Sequence, residues 1–361
     1  MEEDFELATT TNALLHSVNL HRDSMVIYHV TNSIELQQMA TWLSILKYDP
    51  LPPLLASENK AIAFFAERDL VGKKKTNVKL LWDLPDAQRI VRKQQKNGSW
   101  KYPKNNANVR SPENYDQIET FRNLGYLVEM YGFDRSSPII QKAAEFFFGF
   151  QTKEGDIRGI LGNQYGPYYT GAILELLIKA GYADDKRTEK VFAWLSCIRQ
   201  DDGGWAIPMR TLNKKLVAIL KEPRTLEPDR SKPFSHMVTG MVLRAYAAHP
   251  QHRKSREAQE AGKLLLSNLF KKDHYPDRSS AALWLRFSFP FWFTDLISAT
   301  DSLSLLGFST KEPEMIKAID WFVSKQSRNG LWQLSTLRNK KYESELWVSL
   351  ATCRIVKRLY S

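Results

Sequence analysis

The chain has 361 residues, of which 43% are hydrophobic and 25% are charged, and its formal net charge is +11. This composition is typical of a globular protein and excludes a disordered or fibrous chain. The two cysteines, Cys197 and Cys353, form neither a disulfide framework nor a CxxC metal motif, which fits a reducing cytoplasm. We expect no secretory signal, because no basic segment precedes an apolar stretch at the N-terminus, and no membrane span.

Basic residues are concentrated between positions 71 and 110, where eleven Lys and Arg residues accompany two Asp residues. Such a segment could contact phosphate groups or hold a cytoplasmic protein at an anionic membrane surface. It could equally be the solvated outer face of the fold. No helix-turn-helix, zinc-finger or RNP-like pattern is present, so we expect no nucleic-acid partner.

Two short sequence patterns recur along the chain, which indicates an internal repeat. The first is a Gln-x-x-x-Gly-x-Trp motif. The second is a glycine followed by an aromatic residue, at Gly132, Gly181 and Gly307, and each lies 19 residues before a motif glutamine. The motif has two full copies, one shortened copy and one copy with Ile in place of Trp: Gln94, Gly98, Trp100; Gln326, Gly330, Trp332; Gln200, Gly203, Trp205; and Gln151, Gly155.

The glycines of the second pattern lie at the ends of apolar, periodic segments, as helix C-cap residues do. In chain order they predict helix pairs at 114–131 with 138–150, 166–180 with 186–199, and 292–306 with 313–326. A degenerate pair is predicted at 233–248 and 254–270, and a last helix at 342–360. Alternation typical of strands is scarce.

The two helices of each pair differ in polarity. The first is apolar on nearly all sides, whereas the second carries a charged face, as expected for helices inside and outside a closed ring. The sequence therefore predicts an all-α fold, an α/α toroid with inner and outer rings of helices, over residues 61–361. Residues 1–60 are predicted to be a helical extension packed on it. The glutamine could bind free backbone groups at helix ends, with the tryptophan packed over them.

The segments QQKNGSW, RQDDGGW and KQSRNGLW resemble the QW repeat of squalene–hopene and oxidosqualene cyclases, and the chain is similar over about residues 60–361 to prenyltransferase/squalene-oxidase-repeat proteins. The resemblance implies a terpene-cyclase-like enzyme with an isoprenoid or similar hydrophobic substrate.

The chain departs from this family at its catalytic and metal-binding motifs. The cyclases' AspxAspAsp acid motif is absent. Asp184-Asp185 and Asp201-Asp202 lack the third carboxylate of a magnesium motif, and no zinc set of Asp, Cys and His is recognisable, so we expect neither a metal nor a cofactor.

The N-termini of the inner helices are predicted to meet at one mouth of the ring, where candidate catalytic residues are Asp295 and His236. Asp295 follows an aromatic cluster, and burial there would raise its pKa so that it could donate a proton. It could equally cap a helix. Aromatic rings can stabilise a carbocation or simply fill a core. The candidate substrate-binding residues are Tyr115, Glu119, Tyr168, Tyr169, Phe291, Trp292, Glu345 and Trp347.

Three functions remain open from the sequence. The first is a terpene-cyclase-like enzyme that binds its substrate in a central aromatic-lined cavity. The second is a non-catalytic toroid that binds a lipid or a partner protein. The third is a carbohydrate-active toroid, which the scarcity of paired carboxylates disfavours. The basic, proline-containing segment 206–234 could cover a mouth of the ring or serve as a linker.

Overall fold

A computed structural model of the protein describes residues 41–73, 77–102, 112–214, 222–337 and 341–361. Residues 39–361 form one compact unit. The predicted extension over residues 1–60 lies mostly outside the described residues, and its described end, from residue 41 on, belongs to this unit. No helix of the described part is both long enough and apolar enough to cross a bilayer.

Helices of an inner and an outer set alternate along the described chain. The outer helices are α1 (Leu51–Leu55), α3 (Pro85–Val91), α5 (Pro138–Phe148), α7 (Lys186–Cys197), α10 (Arg256–Ser267) and α12 (Pro313–Lys325). The inner helices are α2 (Lys60–Ala66), α4 (Pro112–Gly125), α6 (Pro167–Leu177), α9 (His236–Ala248), α11 (Leu296–Leu305) and α13 (Lys341–Tyr360). A short helix, α8 (Pro208–Thr211), lies between α7 and α9.

Burial separates the two sets. In the inner helix α9 twelve of thirteen residues are buried, whereas the outer helix α12 buries four of thirteen. Helix α9 packs against α6 and α11, α11 against α13, α13 against α2, and α6 against α4. A helix that is buried on all sides must be enclosed by others, so these contacts confirm the predicted all-α toroid.

The helix boundaries follow local capping. Asn59, Asp185, Ser235 and Ser255 each accept a backbone N–H in the first turn of the helix that they precede. Helix α11 begins at Leu296 and not at 292 as the apolar pattern predicts. The reason is a side-chain cap at residue 295, which fixes the first turn there.

Three consecutive inner helices end in a π-helical turn. Helix α2 continues into Glu67–Val71, α4 into Tyr126–Met130 and α6 into Ile178–Tyr182. Turns of this kind are rare and frequently lie at functional sites. The sequence pattern predicted one continuous helix in the second and third cases, because periodicity does not distinguish a single wide turn from an α turn.

The motif glutamines fasten consecutive outer helices to one another. Gln94 Nε2 donates hydrogen bonds to the carbonyl oxygens of Gly98 at 3.0 Å and of Ile139 at 2.8 Å, the latter in the first turn of α5. Gln151 Nε2 does the same to Arg187 in the first turn of α7, at 2.9 Å. One carboxamide therefore holds its own turn and the start of the next outer helix.

The motif tryptophans connect the outer helices to the inner ring. Each indole N–H donates to the carbonyl ten residues earlier, in the pairs Trp100–Ile90, Trp205–Leu195 and Trp332–Phe322. Each backbone N–H of the same tryptophans donates to a hydroxyl on an inner helix, namely Thr120, Thr239 and Ser349. The motif therefore sets the register between the two rings.

The last glutamine closes the ring. Gln326 Nε2 donates to the carbonyl oxygens of Tyr48 at 2.7 Å and Gly330 at 2.9 Å. Its Oε1 accepts the backbone N–H groups of Lys47 and Tyr48. Because Tyr48 directly precedes the segment that enters α1, the end of α12 is fastened to the start of the first outer helix.

At the third motif glutamine, Gln200, the fastening differs. Gln200 Nε2 donates to the carbonyl oxygens of Asp229 and Lys232, at 2.8 and 2.9 Å, within segment 206–234. Gln164 also holds this segment, through Arg224 and Leu226. The described part of the segment is therefore bonded to the toroid, and it takes the place that the first turn of α10 would fill in a regular repeat.

Gly330 offers a test of ring closure. Its φ is +81°, and an added Cβ would lie 2.2 Å from the Asp49 carbonyl oxygen. We expect Gly330→Ala to lower the free energy of unfolding by about 1 kcal/mol for the left-handed backbone and by a further 1–3 kcal/mol for the clash. Gly307→Ala is the matched control, because its φ is +95° and no atom lies within 4 Å. Chemical denaturation should show the larger loss for Gly330→Ala, and equal losses would contradict the close approach.

Candidate functional site

Asp295 is the N-cap of α11 and is 1% exposed. Its Oδ1 accepts the Ser298 backbone N–H at 2.8 Å, and its Oδ2 accepts that of Ser288 at 3.3 Å. Burial raises the pKa of this carboxyl to about 6, against the opposing effect of these hydrogen bonds. The side chain therefore caps a helix and also titrates close to neutrality.

His236 lies at the start of α9 and is 6% exposed. Its ring stacks on Trp284 with centroids 4.6 Å apart, and its Nδ1 lies 3.5 Å from Asp273 Oδ2. The same Oδ2 accepts the Ser235 hydroxyl at 2.8 Å and the Met237 backbone N–H at 3.0 Å. His236 is thus held within the packing that caps the N-terminus of α9.

The predicted aromatic residues of the ring interior pack closely on one another. Trp347 is 1% exposed and lies parallel to Phe289 at a centroid distance of 5.3 Å. Trp292 lies 5.2 Å from Phe121, and Phe291 meets Phe289 edge-on at 5.5 Å. The segment that carries these rings therefore enters the interior between α4 and α13.

The position of Pro290, in the same segment, shows how deeply the segment enters the ring interior. A Cβ placed on Gly125 would lie 3.6 Å from both the Pro290 and the Leu176 side chains. The segment therefore extends to the facing surfaces of α4 and α6. At this depth the rings contact helix side chains directly, as core residues do.

The other predicted binding residues lie nearer the helix starts. Tyr168 and Tyr169 have ring centroids 4.3 Å apart, and burial raises the pKa of Tyr168. Glu119 is ion-paired with Arg122, whose guanidinium lies 5.3 Å from the Trp292 ring centroid. The Tyr115 ring lies 4.8 Å from that of Tyr102, and Glu345 is buried. Roles for these residues in substrate binding remain predictions.

The raised pKa of Asp295 has a consequence for stability. A carboxyl that ionises at higher pH in the folded than in the unfolded chain binds its proton more tightly when folded. Its contribution is full below the unfolded pKa near 4 and is lost as the pH rises through about 6. We expect the wild-type free energy of unfolding to fall by up to about 3 kcal/mol over this interval relative to Asp295→Asn. Denaturant titrations at pH 4 and pH 7 test this, and a constant difference would contradict it.

At the opposite mouth, where the inner helices end, lies an open pocket of about 670 Å³. We call it the C-terminal pocket. The residues that line it come from the ends of α2, α4, α6 and α13 and from the turns that follow them: Phe65, Arg68, Asp69, Val78, Val128, Glu129, Gly132, Phe133, Asp134, Lys179, Arg354, Lys357, Arg358 and Ser361. The candidate residues predicted from the sequence lie at the other mouth, and none of them lines this pocket.

One wall of the C-terminal pocket is apolar. It is formed by Phe65, Val78, Val128 and Phe133. Phe133 is fixed in turn by stacking on Trp82, with centroids 4.7 Å apart and planes 16° from parallel. A rigid apolar wall of this kind is suited to a hydrocarbon surface.

The other wall is charged, and part of it is a chain of ion pairs that crosses three inner helices. Lys179 Nζ lies 2.5 Å from Glu129 and 2.8 Å from Glu175, and Glu175 continues to Arg244 at 2.9 Å. Burial lowers the pKa of Lys179, but the carboxylates of Glu129, Glu175 and Asp301 outweigh this effect and raise it. The ammonium is therefore kept charged inside the ring.

A second group of charges joins α2 to α13. Asp69 lies 2.6 Å from both Arg68 and Arg354, and Lys357 Nζ donates to the Asp69 carbonyl oxygen at 3.0 Å. Burial raises the pKa of Asp69, but the two arginines outweigh it and lower it. Counting the π turns with their helices, each inner helix thus brings a charge to this mouth: Asp69, Glu129, Glu175, Arg244, Asp301 and Arg354.

A regular sequence signal accompanies these charges. On four inner helices, charged residues lie five or nine positions after a hydroxyl-bearing residue of the same helix. These hydroxyl-bearing residues are Thr120, Thr170, Thr239 and Ser349. Those at five are Glu175, Arg244 and Arg354, and those at nine are Glu129, Lys179 and Arg358. Offsets that differ by four share one helix face. Charges that recur in register within apolar helices could therefore have indicated the pocket.

Among the described residues, the His, Cys, Asp and Glu side chains close enough together to hold a metal ion are Glu189, His249 and His252. They lie beside α7, at the C-terminal end of α9. Neither His236 nor Asp295 belongs to this group.

The basic segment 71–110 is described in part. Lys73 is paired with Glu67 at 2.6 Å, Arg89 with Asp86 at 2.9 Å, and Lys79 lies 5.2 Å from the Trp82 ring centroid. Residues 74–76 and 103–111 lie outside the described residues. Contact of this segment with phosphate or a membrane remains a prediction.

Comparison with known proteins gives similarity at the level of structure. No protein-family model and no curated protein sequence matches the chain. A protein from Actinoplanes is 14% identical with a TM-score of 0.39, over 90% of this chain and 98% of that chain. A variant of the type II terpene cyclase MstE from Scytonema, in complex with merosterolic acid A, is 13% identical with a TM-score of 0.37, over 90% and 98%. Another MstE variant, in complex with geranylgeranyl dihydroxybenzoate, is 12% identical with a TM-score of 0.35, over 90% and 97%. At these values the similarity concerns the fold, and the toroid assignment rests on the helix contacts of this chain.

Proposed function

We propose that this protein binds an isoprenoid or similarly hydrophobic small molecule in the C-terminal pocket. The observation that supports this most strongly is a pocket of about 670 Å³ with one apolar and one charged wall. This volume is within the range of about 300–1,000 Å³ that small-molecule sites occupy. An apolar chain would lie against Phe65, Val78 and Val128, with a polar head toward the charged wall.

The charged wall is arranged before any ligand binds. Lys179, Arg354 and Arg358 are each held by a carboxylate from a neighbouring inner helix. A polar head group would therefore meet side chains that have already lost their rotamer freedom, which reduces the entropic cost of binding. Such a site needs no reactive group, so the proposal is compatible with the non-catalytic toroid of the sequence analysis.

Filling the pocket tests this proposal. We expect Val78→Trp to abolish saturable binding of geranylgeraniol and geranylgeranyl diphosphate, because the larger ring would occupy space in the pocket that Val78 lines. Leu80→Trp is the matched control, since Leu80 lies on the same turn and is 67% exposed. Tryptophan fluorescence titration and native mass spectrometry measure the binding. Absence of binding to the unmodified protein, or equal binding by both variants, would contradict the proposal.

A second candidate function is cyclisation of an isoprenoid at the opposite mouth. The observation that favours it is the buried Asp295 carboxyl with a pKa of about 6, next to the aromatic segment that contains Phe289. The protonated carboxyl would give its proton to a substrate alkene, and the resulting carbocation would be stabilised by ring faces. Later loss of a proton from the product cation would restore the acid.

Turnover tests this second candidate. Purified protein is incubated with squalene and C10–C20 prenyl diphosphates, and products are identified by gas chromatography–mass spectrometry. We expect any cyclic product to disappear in Asp295→Asn, which keeps a capping oxygen but cannot act as an acid. Asp185→Asn is the matched control, because Asp185 caps the outer helix α7 in the same way. No product across the panel would contradict cyclisation and leave the binding proposal standing.

A further inference from the structure

Three potential metal ligands converge where the end of α9 meets α7. Glu189 lies in the first turn of α7, His249 is the C-cap of α9, and His252 begins the short turn that precedes α10. Their ligand atoms all lie within 4.8 Å of one another. His252 Nε2 is 3.1 Å from Glu189 Oε2, and His249 Nε2 is 3.8 Å from Glu189 Oε1.

These separations are close to those of a tetrahedral zinc site. With bonds of about 2.0–2.2 Å to nitrogen and oxygen, neighbouring ligand atoms lie a little more than 3 Å apart. The Glu189–His252 pair already has this spacing, the Glu189–His249 pair is 3.8 Å apart, and all three ligand atoms lie within 4.8 Å of one another. The Glu189 side chain is 56% exposed, so water can reach the remaining position.

Surrounding residues hold the two imidazoles in place. The His252 ring stacks on Phe192 with centroids 3.8 Å apart, and the His249 ring meets the same phenyl group edge-on at 5.2 Å. His249 is 3% exposed.

A metal ion that binds His249 must replace hydrogen bonds that this side chain already makes. Its Nδ1 accepts the backbone N–H groups of Gln251 and His252 at 3.3 and 3.2 Å, so the ring proton is on Nε2 and points to the Ala183 carbonyl at 3.1 Å. A metal ion at Nε2 displaces this proton to Nδ1. The backbone N–H groups of Gln251 and His252 then both lose this acceptor. We therefore expect a moderate affinity.

The location gives this site a structural purpose. Elsewhere a motif glutamine binds the first turn of the following outer helix, but Gln200, at the end of α7, binds Asp229 and Lys232 instead. We propose that Glu189, His249 and His252 bind a divalent transition-metal ion, with Zn²⁺ as the best match, and that the ion fastens α7 to the turn before α10. No metal is expected from the sequence, because the magnesium and zinc motifs of the family that the chain resembles are missing.

Metal titration of the protein tests the site. The exposed thiol of Cys197 could bind the same ions, so the background variant is Cys197→Ser. After dialysis against a chelator, we expect isothermal titration calorimetry to give one Zn²⁺ or Co²⁺ per chain, with a dissociation constant on the order of micromolar. His252→Ala and Glu189→Gln should each weaken binding at least tenfold. His274→Ala, at an exposed histidine away from the cluster, should leave it unchanged.

Thermal unfolding supplies an independent readout. Zn²⁺ should raise the melting temperature of the background protein and leave that of His252→Ala unchanged, because an ion that binds only the folded chain stabilises it. If His252→Ala fails to fold by circular dichroism, the comparison is made with Glu189→Gln. No saturable binding by the background protein, or binding that is unchanged in both ligand variants, would overturn the proposal.

Discussion

A single carboxamide contact, repeated around the molecule, keeps the outer helices in a ring. Gln94 and Gln151 each use both N–H groups of the amide, one on their own turn and one on the next outer helix, and Gln326 in the same way joins its own turn to the segment before α1. A backbone carbonyl in the first turn of a helix is present whatever the side chain, so the contact does not depend on which residues the next helix carries. This independence allows outer helices of very different sequence to follow one another, from the short α1 to the charged α7.

Closure of the ring determines where the inner helices can carry charged side chains. An inner helix that is packed on every side has room for charged groups mainly toward its ends, where they can pair with charges of neighbouring inner helices. The C-terminal mouth shows this arrangement, since Arg244 and Glu175 are almost fully buried and are paired with each other. A buried guanidinium without a carboxylate would cost several kcal/mol, so the charges of neighbouring inner helices depend on one another. The pocket is therefore a property of the whole ring.

The fold could be predicted from the sequence because its main contacts use a fixed motif. Gln94, Gly98 and Trp100 act on backbone groups and on each other, so their spacing alone indicates their role. The C-terminal pocket could not be found in this way, because Lys179 and Asp69 each have a partner on another helix, Glu129 and Arg354 respectively. Asp295 illustrates the intermediate case: its cap was foreseeable from local sequence, whereas its burial depends on the aromatic segment that enters beside it.

Three of the described inner helices contain a π turn. In each of them the part before the turn is constrained by contact with the outer ring, and the part from the turn onward faces the C-terminal pocket. The anchoring hydroxyl, such as Thr120 or Thr170, lies before the turn and contacts the outer ring. The turn adds about one residue per revolution, so the side chains after it point in directions that an unbroken α-helix would not give them. Glu129 and Lys179 lie within these turns. Residues in and after a turn can therefore be exchanged without disturbing the hydroxyl that sets the register, and a new ligand preference could arise in the pocket while the scaffold remains the same.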